Sequence, residues 1–330
     1  MRCTVIVPTY NRQESLCRTL NALARQTLSN AEFEVVVISD GCTDATDIVL
    51  AEFATSKRLI LRWFTQQNSG PAAARNLGMK LARGEVVVFI DDDVEPIPEF
   101  LERHLAHHVN DDKVVVIGPL SPDPRWTREE PAWVAWEHAK LQGIYNMFKP
   151  GGKYHGCDAG FEHFYSGNVS LRRKWLLEVG GFNTEFKRQE DVELAARLKR
   201  MFDLRFVFDF TADGLHHPVR SRESWLELPN AYGALDAERV RADTLRADEV
   251  DKAMRRRHGI TRLLTYTFMM APSMVEPVSS MCCSTASALY TGGMQNWALG
   301  LLSAIYNARY AVAYHRSSTH MRRPTTVAIQ

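Results

Sequence analysis

The sequence predicts an α/β fold with a mostly parallel central sheet flanked by helices and a helical extension at its C-terminal end. Two observations support this. Short β-branched runs alternate with segments of helical spacing, and the runs lack the polar alternation of a sheet with one solvated face. Strands of this kind, separated by helices, form βαβ units. The runs cover residues 3–7, 34–38, 59–64, 85–90 and 113–117.

Helices are predicted between these strands. Leu16, Leu20 and Leu23 recur at positions i, i+4 and i+7, which places them on one face of a helix. Another helix is predicted over residues 71–81, and we interpret Gly84 as its C-cap because glycine commonly ends helices.

Regular patterns weaken after residue 120, where prolines and glycines interrupt a segment with one short predicted helix over residues 132–141. They return after residue 160. The spacing then predicts a strand, two helices and another strand, over residues 164–171, 173–179, 191–201 and 204–209. Residues 224–257 are charged and largely free of helix-breaking residues, which predicts a long helix or a helix pair.

The charge composition excludes a general affinity for nucleic acid. Lys and Arg total 40 against 39 for Asp and Glu, so the formal net charge is +1 and no overall positive field attracts a polyanion. The apolar run after Arg2 is too short for a secretory leader. No stretch reaches the roughly 20 apolar residues of a membrane-spanning helix. We therefore expect a cytoplasmic or cytoplasm-facing protein.

Polar residues follow three of the predicted strands. Residues 8–12 come after the first strand, Asp40 comes after the second, and the triplet 91–93 comes after the fourth. Ligands of open α/β sheets bind beyond the carboxyl ends of the strands, so these residues are the first candidates for a functional site.

The acidic triplet Asp91, Asp92 and Asp93 predicts a cation site. Three adjacent carboxylates repel one another, and solvent or a cation relieves that repulsion. Carboxylates at a strand end suit Mg²⁺ or Mn²⁺, which bind one or two carboxylates together with substrate phosphates. The alternative is a solvated acidic turn without a ligand.

Two further polar pairs lie downstream. Glu190 and Asp191 open a predicted helix, where a carboxylate is stabilised by the helix N-terminus and can also face a cleft. His216 and His217 follow the strand at residues 204–209, and imidazole is a common metal ligand. The alternatives are a first-turn acidic pair and a structural histidine pair.

Five strings of the sequence form one ordered set: VIVPTYNR, SDGCTDAT, NSGPAAARNLGMKLARGEVVVFIDDD, FYSGNVSLRRKWLLEVGGFNTEF and EDVELAARL. Together they resemble family 2 glycosyltransferases of the GT-A fold, a Rossmann-like α/β fold. The resemblance covers roughly residues 2–220 and fades beyond them. It implies a catalytic domain over residues 1–220 and a separate helical region over residues 221–330.

The resemblance also implies a role for each matching residue. The nucleotide of the donor would contact Pro8, Thr9, Tyr10, Asp40, Arg75, Asp91 and Asp92. The transferred sugar or the acceptor would lie near Gly167 and Asn168. Mn²⁺ or Mg²⁺ would be held by Asp93 and Asp91, with His217 or His216 as a further ligand, an ambiguity that adjacent histidines leave open.

The implied reaction is an inverting sugar transfer from a nucleoside diphosphate sugar of the UDP, dTDP or GDP type. Asp191 would be the general base, with Glu190 close by, and it would deprotonate an acceptor hydroxyl that attacks the anomeric carbon. The acceptor class stays open between a glycan, a lipid-linked sugar, a peptide and a small molecule.

Two other functions are considered. A sugar-phosphate nucleotidyltransferase would carry a glycine- and arginine-rich phosphate loop after the first strand, where this chain has PTYNR. A catalytically silent nucleotide-sugar-binding protein would be expected to lack one of the key acids, whereas Asp91, Asp93 and Asp191 are all present.

Residues 263–308 contain one charged residue, Glu276, in 46 positions, and arginines flank this segment on both sides. It is interpreted either as a packed helical subdomain, covering the acceptor side or forming a homodimer interface, or as an element that lies on a membrane surface. The prolines and glycines in the segment favour packing. The flanking arginines are Arg255, Arg256, Arg257, Arg309, Arg316, Arg322 and Arg323.

Overall fold

The fold is described from a computed structural model, which describes residues 1–56, 58–125, 130–186, 188–241 and 245–319. Arg322 and Arg323 lie outside these residues. The chain divides into two compact units, one of residues 1–124 with 140–218 and the other of residues 125–139 with 219–330. The predicted boundary at residue 220 left out residues 125–139. They belong to the second unit because Trp136 packs against Trp225 and Tyr306.

The first unit contains a central sheet with strand order β3-β2-β1-β4-β8-β6-β9 and a small sheet with order β5-β10-β7. In chain order the strands are β1 Cys3–Thr9, β2 Phe33–Asp40, β3 Leu61–Gln66, β4 Val86–Ile90, β5 Val94–Pro96, β6 Val114–Ile117, β7 Leu120–Pro122, β8 Asn168–Arg172, β9 Arg205–Phe208 and β10 Gly214–His216. The predicted α/β class and mostly parallel central sheet are confirmed.

The helices of the first unit lie between these strands, and those of the second unit follow one another. In chain order they are α1 Gln13–Leu23, α2 Thr46–Thr55, α3 Pro71–Leu81, α4 Phe100–His107, α5 Ala132–Phe148, α6 Arg173–Glu178, α7 Glu190–Phe202, α8 Arg222–Arg241, α9 Ala247–Arg255, α10 Gly259–Met270, α11 Val275–Thr291 and α12 Gln295–Thr319. The short helix predicted at residues 132–141 is therefore longer than expected.

Strand β4 shows why the central sheet carries continuous apolar runs. Val86, Val88 and Ile90 join the core on one face of the sheet, while Val87 and Phe89 join the core on the other face. Because successive side chains of a strand point to opposite faces, a strand covered on both sides must be apolar at every position. This run ends at the acidic triplet.

Strand β8 is shorter than predicted and is antiparallel to both neighbours, β4 and β6, a direction that the sequence left open. It begins four residues later than predicted, since a turn closed by the Asn168 N–H on the Tyr165 carbonyl occupies the start of that segment, directly after a 3-10 turn at Phe161–His163. Strand direction depends on the chain path through the preceding loop, which the apolar pattern does not record.

The second unit is helical, as predicted. The charged segment 224–257 forms the pair α8 and α9, and the low-charge segment contributes to α10, α11 and α12. Its core includes Trp225, Phe268, Cys283, Leu302 and Ile305. Among the described residues, no helix combines the length and the apolar character needed to cross a membrane.

Gly84 is not the C-cap of α3, because the helix already ends at Leu81 and its cap residue is Ala82. Gly84 instead lies against the backbone of β1. A Cβ atom at this position would lie 2.3 Å from the Cys3 carbonyl carbon and 2.4 Å from the Thr4 nitrogen. The glycine is therefore required by a close approach of two backbone segments at the start of β4.

Gly84→Ala is expected to lower the free energy of unfolding by about 2 kcal/mol or more, because the added methyl group meets backbone that cannot move aside. The matched control is Gly143→Ala in α5, where no atom lies within 4 Å of the added Cβ, and this change should raise stability by up to about 1 kcal/mol through helix propensity. Urea unfolding of both variants measures the effect. Equal midpoints for Gly84→Ala and the wild type would contradict it.

Candidate functional site

The acidic triplet directly follows β4, and a hydroxyl of α1 lies against its backbone. The Thr19 hydroxyl is 3.0 Å from the Asp92 carbonyl oxygen and 2.9 Å from the Val94 carbonyl oxygen. Gly167 lies so close to the triplet that a Cβ there would be 2.8 Å from Asp91 Oδ2. Asp91 and Gly167, two residues predicted for the site, are thus brought together.

Arg75 joins the triplet to the start of α7. Its guanidinium is almost completely buried and donates to Asp91 Oδ1 at 2.7 Å and to Glu190 Oε1 at 3.3 Å. The Asp91 side chain remains 36% exposed. A buried cation is stable only when paired, so Arg75 and these two acids fix each other. The carboxyl end of β4 and the N-terminus of α7 therefore form one site.

Arg12 bridges the other two acids of the triplet. Its Nη1 atom donates to Asp92 Oδ1 at 3.1 Å and to Asp93 Oδ2 at 2.8 Å. The Thr9 hydroxyl donates to Asp92 Oδ2 at 2.7 Å. Burial, followed by the charge of Asp93, raises the pKa of Asp92 to about 6. The buried Asp92 carboxylate therefore ties the end of β1 to the end of β4.

Asp191 lies beside Glu190 in the first turn of α7. Burial, followed by the charge of Glu190, raises the pKa of its carboxyl to about 6, while the Val192 N–H and Arg75 oppose the shift. The Val192 backbone N–H donates to Asp191 Oδ1 at 2.8 Å. A carboxylate with such a pKa is largely ionised at neutral pH and is a stronger base than an ordinary aspartate.

The charges around this sheet edge do not balance. Among the described residues that these ion pairs and charges connect, five acids share two guanidinium groups, and the raised pKa values of Asp92 and Asp191 follow in part from that excess. A divalent cation or a cationic ligand would neutralise it. The acids are Asp91, Asp92, Asp93, Glu190 and Asp191, and the guanidinium groups belong to Arg12 and Arg75.

The residues predicted to contact a nucleotide differ in accessibility. The Tyr10 side chain is 49% exposed, whereas Thr9 is buried and Pro8 is partly buried. Asp40 is buried and accepts hydrogen bonds from Gln66 Nε2 and from the backbone N–H groups of Ser69 and Gly70, at 2.7 to 2.9 Å. Asp40 therefore shapes the loop that leads into α3.

Asn168 was expected near the sugar or the acceptor, but its side chain is fully buried. Its amide nitrogen donates to the carbonyl oxygens of Pro119 and Ala212 at 2.8 and 3.0 Å, and its Oδ1 accepts from His104 Nε2 at 2.9 Å. With both amide ends bonded inside the core, this side chain positions the loops around the site and is not directed at a ligand.

The two histidines face different acids. His216 Nε2 lies 3.7 Å from Asp93 Oδ1, whereas His217 Nε2 lies 3.5 Å from Glu95 Oε2 and 3.4 Å from Asp123 Oδ2. This separation follows from their consecutive positions at the end of β10, since neighbouring residues of an extended chain point in opposite directions. One ligand atom from each of Glu95, Asp123 and His217 lies within 4.8 Å of the others.

Two residues of this region, Glu95 and Asp123, were not predicted from the sequence. Arg12 was predicted only as one of residues 8–12, without a role, because its bridging role depends on the fold of the triplet. Glu95 follows Asp93 by two residues, and Asp123 follows the end of β7 by one. The rule that ligands bind beyond strand ends could have indicated Asp123, but β7 is too short to be recognised in the sequence.

Two comparisons of sequence bear on the family of the chain. The model of Glycosyl transferase family 2 matches residues 4–179. Validoxylamine A glucosyltransferase of Streptomyces hygroscopicus subsp. limoneus is 33% identical over 248 residues, which are 69% of this chain and 51% of that protein. Glucosyl-dolichyl phosphate glucuronosyltransferase of Haloferax volcanii is 31% identical over 207 residues, 59% of this chain and 60% of that protein. The chain spans about half the length of the first relative.

Solved structures show the same fold at low identity. The mannosyltransferase PcManGT from Pyrobaculum calidifontis, in complex with GDP-Man and Mn²⁺, has a TM-score of 0.59 at 18% identity over 96% of this chain and 88% of that chain. Staphylococcus aureus TarS 1-349, in complex with UDP-GlcNAc, has a TM-score of 0.56 at 20% identity over 96% and 91%. The segment that the family model matches, residues 4–179, contains the acidic triplet. The fold is GT-A. The chain belongs to glycosyl transferase family 2.

Proposed function

We propose that the chain is a metal-dependent inverting glycosyltransferase, which moves a sugar from a nucleoside diphosphate sugar to an acceptor hydroxyl. The observation that carries the proposal is the Arg75 bridge between Asp91 and Glu190. It holds a base candidate, Asp191, beside the acids expected at the donor diphosphate. Family membership supports the same reaction class. Asp91, Asp93 and Asp191 are all present, which argues against a catalytically silent binding protein.

The donor is a sugar linked to UDP, dTDP or GDP. Solved structures of the same fold carry GDP-Man or UDP-GlcNAc, which supports the donor class and leaves the base open. Tyr10 offers an exposed aromatic ring at the end of β1, where it can stack on a nucleobase. The acceptor is a hydroxyl of a glycan, a lipid-linked sugar, a peptide or a small molecule.

Asp191 is the proposed general base. It takes the proton of the acceptor hydroxyl, whose oxygen then forms a bond to the anomeric carbon as the bond from that carbon to the diphosphate oxygen breaks. Attack from the face opposite the leaving group inverts the configuration. The partly buried setting that raises the pKa of Asp191 also makes it a better proton acceptor.

A divalent cation fits the donor set at the triplet. Asp93 Oδ2 is held by Arg12, while Oδ1 of the same carboxylate lies towards His216 Nε2. Carboxylate oxygen and imidazole nitrogen suit Mn²⁺, and carboxylates suit Mg²⁺. Asp93, His216 and Asp91 are the proposed ligands. When bound, the cation would stabilise the negative charge of the leaving diphosphate.

The cluster of Glu95, Asp123 and His217 is the alternative cation site. It contains His217, which the sequence could not separate from His216. The triplet is favoured because Arg75 bridges Asp91 to Glu190, the neighbour of the base candidate Asp191.

Asp191→Asn should lower kcat by at least about 100-fold, because an amide cannot accept the proton, while the donor Kd changes less than threefold. Initial rates and calorimetric titration with the donor and Mn²⁺ measure the two quantities. Glu102→Gln on α4 removes an exposed carboxylate of the same unit and should leave both unchanged. Near wild-type turnover by Asp191→Asn would remove Asp191 as the base.

The dependence of kcat on pH provides a test of Asp191 that needs no substitution. The base works when deprotonated, so kcat should fall as the pH drops below about 6, approaching tenfold per pH unit. Rates are measured from pH 4.5 to 8 at saturating donor and acceptor. A kcat that stays constant down to pH 5 would contradict the assignment.

The proposed cation site predicts unequal effects of the two histidines. His216→Gln should weaken Mn²⁺-dependent binding of the nucleoside diphosphate at least tenfold, since it removes a ligand. His217→Gln should weaken it less. Titration of UDP, dTDP and GDP with and without Mn²⁺ measures both variants, and their thermal unfolding shows that each is folded. If His217→Gln weakened Mn²⁺-dependent binding more than His216→Gln, the cation site would be assigned to Glu95, Asp123 and His217 instead.

A further inference from the structure

Helix α10 in the second unit exposes an apolar face. Leu263, Tyr266 and Met270 are 65%, 64% and 68% exposed, and Ile260 is 53% exposed. These four residues, hereafter the α10 face, recur at intervals of three and four and therefore lie along one side of the helix. The opposite side is buried through Thr261 and Phe268.

This arrangement reverses the usual pattern of a surface helix, which places polar residues towards solvent. Arg262 is the charged residue of α10. Two further methionines are exposed near the helix end, Met269 in its last turn and Met274 just beyond it, at 42% and 43%. A contiguous exposed apolar surface of this kind marks a binding site for a partner or a membrane.

The sequence that leads into and through the α10 face is basic. No Asp or Glu occurs from residue 252 to residue 275, a segment that contains Lys252 and four arginines. Lys252, Arg255, Arg256 and Arg262 are exposed. The fifth cation, Arg257, has an internal role because it donates to the Asn307 carbonyl oxygen at 2.7 Å.

The acids on either side of the segment are fewer than its cations. Glu276, which follows it, pairs at 2.9 Å with the buried guanidinium of Arg309, which also lies 3.6 Å from Glu227. Asp248, Glu249 and Asp251 precede it, and Asp248 pairs with Arg246. From Arg246 to Arg262 six cations stand against three acids, so the α10 face has a basic border in the sequence.

We propose that the α10 face binds an anionic membrane surface. The apolar side chains would enter the boundary between headgroups and acyl chains, and the four exposed cations would contact lipid phosphates and other anionic headgroups. An aromatic and aliphatic face with a basic border is the pattern of helices that lie in the plane of a membrane. This binding goes beyond the proposed sugar transfer and does not depend on it.

The charges favour a membrane over a second copy of the chain. In a two-fold dimer through the α10 face both copies would bring the same basic segment to one interface, and like charges at an interface oppose association. An anionic bilayer supplies the complementary charge. Each basic residue near such a surface strengthens binding about fivefold, so removal of two should weaken it roughly 25-fold.

Vesicle co-sedimentation of the full chain tests the proposal. One set of vesicles is pure phosphatidylcholine, and the other contains about a third phosphatidylserine. We expect the wild type to sediment with the anionic vesicles at least tenfold more strongly than with the neutral ones, and 0.5 M NaCl should largely remove the difference. Failure of the wild type to sediment with anionic vesicles would overturn the proposal without any variant.

Two double variants, each with a matched control, separate the apolar and electrostatic contributions to vesicle binding. The double variant Leu263→Ser/Met270→Ser should weaken binding at least tenfold. Its control, Ile48→Ser/Val109→Ser, changes two exposed apolar residues of the first unit and should not weaken binding. Arg256→Gln with Arg262→Gln should weaken binding to anionic vesicles only. Its control, Arg103→Gln with Arg200→Gln, changes two exposed arginines elsewhere and should have no effect.

Self-association is the rival outcome and is measured on the same samples. Sedimentation equilibrium should give one molecular mass for the wild type and for Leu263→Ser with Met270→Ser. A wild-type dimer that this variant dissociates would overturn the membrane proposal. The proposal would also be overturned if the Leu263→Ser/Met270→Ser double variant bound vesicles as strongly as the wild type. Thermal unfolding midpoints equal to that of the wild type show that the variants are folded.

Discussion

The excess of carboxylates at one edge of the central sheet is the constraint on which the site depends. Arg75 and Arg12 each hold two of these acids, and in the described part of the chain five acids share these two guanidinium groups. Arg75 is nearly inaccessible to solvent, so its position is set by the acids that it pairs. The two arginines thereby connect elements that are far apart in sequence, namely the ends of β1 and β4 and the start of α7.

The same imbalance explains the chemistry that we propose. The raised pKa of Asp191 makes this residue a stronger base than a solvated aspartate, and its ionised form is still dominant at neutral pH. The remaining negative charge around Asp91 and Asp93 is suited to a divalent cation with a diphosphate. One electrostatic arrangement thus supplies both a proton acceptor and a place for the leaving group.

Much of the fold and part of the site follow from the sequence. Strands covered on both faces must be apolar at every position, so the run that ends at Asp91 was recognisable, and Glu190 and Asp191 were recognisable as the start of a helix. The direction of β8, the burial of Asn168 and the separation of His216 from His217 were not. Each depends on which strands become neighbours, and local sequence periodicity contains no record of that pairing.

We propose that the acidic edge binds a nucleoside diphosphate sugar together with a divalent cation. A thermal-shift panel of UDP, dTDP and GDP sugars, each with and without Mn²⁺, measures this binding. At least one of these sugars should raise the unfolding midpoint with Mn²⁺, omission of Mn²⁺ should reduce the shift, and Asp93→Ala should remove it. Unchanged midpoints with every sugar in the presence of Mn²⁺ would contradict the proposed binding.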